Sequence, residues 1–130
     1  MLRKAAIAGV FLTSFSLAHA SDWHPIAGNN DGTIEIDLGT VSRNGPLVKV
    51  WLRQIFSNGK ADTAYPRPIG SKQTHWYLDC KRRAIAQGEI FVRDMQQDIM
   101  FQSRGTPNDF QDVVPDSTGE AVLETICAAH

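Results

Sequence analysis

The 130-residue sequence predicts an α+β fold: a curved, mostly antiparallel β-sheet of about six strands, a C-terminal α-helix packed on it and one disulfide. Three observations predict it. Alternating apolar and polar segments recur between residues 33 and 93, separated by turn-forming residues. A capping sequence, Ser117-Thr118-Gly119-Glu120, opens one helical stripe near the C-terminus. The two cysteines stand one on a strand, Cys80, and one on that helix, Cys127, which suggests a staple between sheet and helix.

Trp23-His24-Pro25-Ile26-Ala27 reads as a short edge strand, because proline removes a ladder donor and is tolerated at edges. Asn29-Asn30-Asp31-Gly32 is a turn of residues suited to positive φ. Residues 33–38 then alternate, with Ile34, Ile36 and Leu38 on one face. Arg43-Asn44-Gly45-Pro46 turns the chain into the longest strand, 47–56, where Val48, Val50 and Leu52 oppose Lys49, Trp51 and Arg53. Trp51, on the polar side, is expected to shield the sheet or join a second cluster.

Residues 57–72 contain Gly59, Pro66, Pro68 and Gly70 with no periodicity, and read as a long loop. Strands follow over 73–80 and 83–93. In the first, Thr74, Trp76, Leu78 and Cys80 share the inward face; in the second, Ile90 and Val92 keep the pattern less cleanly and Phe91 covers the other side. Asp94-Met95-Gln96-Gln97 turns into a short strand, 98–102, and Gly105-Thr106-Pro107-Asn108 ends the strand region. In the helix, Val122, Leu123, Ile126 and Cys127 fall on one stripe, so both sulfurs point into the same core. A bond closing a loop of this length stabilises a chain by about 4 kcal/mol on the chain-entropy account.

The first 20 residues have the pattern of a secretory signal: Arg3 and Lys4, an apolar run over 5–18, and Ala18-His19-Ala20 as a cleavage sequence. The apolar run is shorter than the roughly 20 residues that span a bilayer. The remaining domain, 21–130, is expected to be exported, periplasmic or secreted, where a cysteine pair oxidises. The whole chain has 13 basic and 14 acidic residues; loss of Arg3 and Lys4 leaves 11 against 14, a net charge of −3. That balance argues against a nucleic-acid partner, which needs a basic excess.

Catalytic chemistry is not written in the sequence. His24, His75 and His130 are far apart, with no H-x-x-x-H or Cys/His cluster to hold a metal and no C-x-x-C to support free reactive thiols. No G-x-S-x-G elbow or glycine-rich phosphate loop occurs, and the carboxylates are scattered, Asp109 and Asp112 reading as a solvated loop. The expectation is a non-enzymatic protein without metal or cofactor.

Lys81-Arg82-Arg83, directly after Cys80, is the densest charge cluster in an otherwise acidic domain. It reads either as a solvated strand end or as an anchor for an acidic or sulfated partner surface. Arg67 and Lys72 extend it if folding brings them near, and Tyr65, Trp76 and Tyr77 flank it in sequence.

Several segments together carry a resemblance. Ile34-Glu35-Ile36-Asp37, Val41-Ser42-Arg43-Asn44-Gly45, Val48-Lys49-Val50-Trp51, Leu78-Asp79-Cys80 with the basic run, and Val113-Val114-Pro115-Asp116-Ser117 leading to Cys127 follow one another in order. In this order they resemble the surface-adhesin protein E-like domain family over nearly all of residues 21–130. The resemblance implies an exported Gram-negative envelope domain with an antiparallel sheet, a C-terminal helix and one disulfide. It implies binding of a host matrix or serum protein, with Lys81, Arg82 and Arg83 matching the binding segment. Ser21 stands where a lipidated cysteine would be, so lipid-anchored surface display does not carry over. The alternative function is a periplasmic inhibitor or accessory factor, for example of a cell-wall hydrolase, using a loop as a plug.

Overall fold

The computed structural model describes residues 20–128. The expected secretory segment lies outside the described residues apart from Ala20, and so does His130. The elements are β1 (Trp23–Asn29), β2 (Gly32–Asp37), β3 (Ser42–Asn44), β4 (Leu47–Lys60), β5 (Ile69–Asp79), β6 (Ala84–Asp94), β7 (Ile99–Ser103), β8 (Gln111–Asp112) and α1 (Thr118–Ala128). The predicted architecture holds: one antiparallel sheet with a C-terminal helix and a Cys80–Cys127 disulfide. Six strands form the path β1-β2-β4-β5-β6-β7. The two short strands follow from length: β4 and β6 outrun β2 and β7, and β3 and β8 pair the protruding ends. The described helix is not long and apolar enough to cross a membrane.

Registers place four side-chain rows on the helix-bearing face. Val48, Leu78 and Ile85 form the first and Val50, Trp76 and Gln87 the second. Ile36, Leu52, Thr74 and Ile90 form the third; Ile34, Gln54, Lys72, Val92 and Phe101 form the fourth. Paired residues share a face, so each row runs across the sheet. Helix α1 buries Val122, Leu123 and Ile126. Val122 and Ile126 pack with Ile36, Val48, Val50, Leu52, Trp76 and Leu78 in one core cluster, as the stripe predicts. Ser117 caps the helix, its Oγ accepting from the Glu120 N–H at 3.2 Å. Among the described residues the Glu120 carboxylate accepts no bond from the Ser117 N–H, so only half of the capping box forms; the Ser117 hydroxyl also donates to the Val114 carbonyl.

Several expectations are corrected. The β1–β2 turn uses no positive φ; the Asn29 carboxamide oxygen accepts from the Asp31 and Gly32 N–H groups and closes it. Leu38 lies past the end of β2 and is exposed, because Asp37 ends the strand by binding the Gly39 N–H and the Thr40 hydroxyl. The long loop shrinks to residues 61–68: β4 continues to Lys60 and β5 starts at Ile69, with the register slipping between Ile55 and Lys60. Gly59, at φ +76°, supplies the backbone freedom for that irregular extension. Strand pairing also resumes after Gly105, in β8. The less regular pattern of β6 has a cause, since Gly88 and Glu89 together face His75 in a bulge.

Candidate functional site

The basic run folds as the turn between β5 and β6, and Lys81, Arg82 and Arg83 are all exposed. The turn is held from several sides. Asp79 Oδ1 accepts the Arg82 N–H at 3.0 Å, and the Cys80 N–H donates to the Pro46 carbonyl at 2.9 Å. The Val113 N–H donates to the Arg83 carbonyl, and Cys80 is bonded to Cys127. Arg83 adopts φ 52°, a left-handed conformation unfavourable for a side chain with a Cβ. Its guanidinium pairs with Glu124 of α1 at 2.8 Å, with both groups over half exposed. Arg82 lies 5.9 Å from the Phe110 ring centroid. Lys81 has no ion pair or ring contact among the described residues.

Arg67 and Lys72 do not join this patch. Lys72 lies about 26 Å of strand away from Cys80, and Arg67 sits farther still, before β5 begins. Arg67 is bound to Asp94, and Lys72 lies in the fourth row of the helix-bearing face. The arginine that does approach is Arg43 of β3, whose Nη2 donates to the Ile126 carbonyl at 3.0 Å. Arg43 and Arg83 thus grip the C-terminal half of α1 on backbone and side chain, where cations also complement the helix dipole. The sequence signal for Arg43 was present: it flanks the Gly45-Pro46 turn that meets Cys80.

The flanking aromatics separate. Trp76 is buried in the core and Tyr65 packs edge-on against Phe101 at 6.3 Å. Tyr77 lies on the other face of the sheet, which no helix covers among the described residues. There Trp51 stacks on His75, with centroids 4.3 Å apart and planes at 5°, and also meets Phe91. Lys49 lies over Tyr77, Arg93 over Phe91 and Arg53 over Trp23, so cations and rings shield one another. His75 is half-buried rather than solvated. Burial, helped by the Lys49 charge, holds its pKa below the ordinary imidazole value, and Glu89 opposes them. His24 instead pairs with Asp22 at the exposed edge.

Among the described residues no group of three or more His, Cys, Asp or Glu side chains is placed to hold a metal ion. A family profile described as surface-adhesin protein E matches residues 23–128. Among curated proteins no sequence matches. Among solved structures, crystal form II of Haemophilus influenzae protein E superposes with TM-score 0.59 at 16% identity, covering 86% of this chain and 94% of that one. Protein E from non-typeable Haemophilus influenzae gives TM-score 0.56 at 17% identity, covering 86% and 82% respectively. At these identities the likeness to the solved structures is one of fold.

Proposed function

The chain belongs to the surface-adhesin protein E family, and from that premise we propose an exported, non-enzymatic domain that binds another protein through the β5–β6 turn. The observation that carries this reading is the turn itself: three consecutive exposed cations in a domain whose net charge is negative. The disulfide and the Asp79 cap hold the backbone of the turn, so little ordering entropy opposes binding there. Lys81 and Arg82 are free to pair with carboxylates or sulfates, while Arg83 must first leave Glu124. A host matrix or serum protein is the partner class the family suggests. Export rests on the signal-like residues 1–20.

A pull-down against matrix and serum proteins tests the proposal, comparing wild type with a Lys81→Ala, Arg82→Ala, Arg83→Gly variant. Glycine is chosen at 83 because it relaxes the positive φ while removing the charge. Capture by wild type and loss in the variant is the expected result. Equal capture by both, or by neither, overturns the reading. Lysozyme inhibition by the wild-type domain would favour the hydrolase-inhibitor alternative.

A further inference from the structure

Helix α1 covers only part of its face of the sheet. Its first turn sits on Ile85 of β6, 3.2 Å from where a Gly119 Cβ would stand, and its last turn meets Arg43. Both contacts lie at the Cys80 end, over the first two side-chain rows. The helix also packs with Ile36 and Leu52 of the third row; the Thr74–Ile90 part of that row and the fourth row floor a groove of about 340 Å³, within the range of small-molecule sites. Ile90 and Phe101 supply its accessible apolar wall, Gln54, Thr74 and Gln87 its polar part, and Tyr65 closes one side through its edge contact with Phe101. The groove crosses four strands, roughly 14 Å. Lys72 is the one charged side chain lining it; no carboxylate lines it. Lys72 is half-buried and has no ion pair among the described residues.

We propose that this groove binds a monoanionic amphiphile of the fatty-acid class, its carboxylate on Lys72 and its alkyl tail along Ile90 and Phe101. The charge pattern selects this occupant. Lys72 is a lone cation in a groove that no carboxylate lines, so an anionic headgroup supplies the counter-charge the groove itself lacks. The neighbouring positions in its row, Gln54 and Val92, cannot supply it. A carboxylate headgroup does so, and a single tail covers Phe101, which is 45% exposed. The inference is independent of the basic turn, which lies at the opposite end of β5.

Titration of the oxidised domain with cis-parinarate, a fluorescent fatty acid, below its micelle concentration tests the site. Saturable one-to-one binding is expected, displaced by palmitate more strongly than by hexadecanol. Lys72→Gln should weaken palmitate about tenfold and leave hexadecanol unchanged, the value of one charge-assisted contact. Phe101→Ser should weaken both ligands. If Phe101→Ser shifts the thermal midpoint, Tyr65→Ala in the loop carries the same expectation. Absence of saturable binding overturns the proposal, as do equal displacement by alcohol and acid or affinities unmoved by the Lys72 and wall variants.

Discussion

Arg67 donates its Nε–H to the Asp94 carboxylate at 2.7 Å, joining the 61–68 loop to the end of β6. Asp94 is 2% exposed, and its other oxygen accepts the Gln96 and Asp98 N–H groups, so one side chain holds both the loop and the β6–β7 turn. Arg67→Ala should cost about 1–2 kcal/mol, toward the lower end because Arg67 is half exposed. Asp94→Ala should cost more, since three donors lose their acceptor. Urea unfolding of both variants measures the difference.

The same carboxylate makes stability pH-dependent. The Arg67 bond is the largest influence on Asp94 and lowers its pKa; burial opposes it, and the Asp98 and Gln96 N–H groups add to the lowering. Burial pushes Asp37 up, but the Thr40 hydroxyl, the Asp22 and Gly39 N–H groups and Arg53 together outweigh it. An unfolded aspartate titrates near 3.9, so just below that pH the unfolded chain binds more protons than the folded one. The stabilisation is complete above the unfolded value and is lost as pH falls through the folded values. Thermal midpoints should therefore fall below about pH 4, and Asp94→Asn should flatten that fall.

His75 should titrate below the usual imidazole value of about 6.5 in NMR. Glu89→Gln should lower its midpoint further, because Glu89 opposes the depression, and Lys49→Met should raise it. A midpoint at or above the usual value would contradict the half-buried stack on Trp51.

Cys80 and Cys127 are bonded across a sequence separation of 47, which on the chain-entropy account gives about 4 kcal/mol. Dithiothreitol should lower the thermal midpoint by roughly 10 °C or more. The helix should loosen first in hydrogen exchange, since beyond the disulfide only the buried Ile126 and the Arg43 bond tie its last turn. An unchanged midpoint would deny the disulfide this role.

Two glycines with the same φ should respond differently to alanine. At Gly105, φ +62°, a Cβ would stand 2.1 Å from the Gly88 carbonyl oxygen, whereas at Gly45, φ +61°, it meets nothing within 4 Å. Gly45→Ala should cost only the conformational term, about 1–2 kcal/mol. Gly105→Ala should cost clearly more and disturb the adjoining Thr106–Gln87 bond. Denaturant midpoints rank the two.

Local signals carried much of this fold into the sequence. Val48, Val50 and Leu52 alternate because one face of β4 is buried, and Val122, Leu123 and Ile126 recur at helical spacing because one face of α1 is. Turn chemistry at Gly45 and the Ser117 cap were equally readable. Where such signals were absent, the reading failed. The 57–72 segment lacks a period because β4 and β5 are irregular there, and only pairing with a neighbour makes them strands.

The sequence by itself determined the class of fold, the cysteine pair and the position of the basic run, since each depends on contacts within one element or on composition. Tertiary structure alone decided which charges meet. It separated Arg67 and Lys72 from Lys81, brought Arg43 to the helix end and gave Asp94 to Arg67. It also set Lys72 in a groove beside Ile90 and Phe101, through registers joining strands far apart in the chain. Hydrophobic periodicity is a property of one strand, whereas the electrostatic surroundings of a side chain come from whichever strands lie beside it.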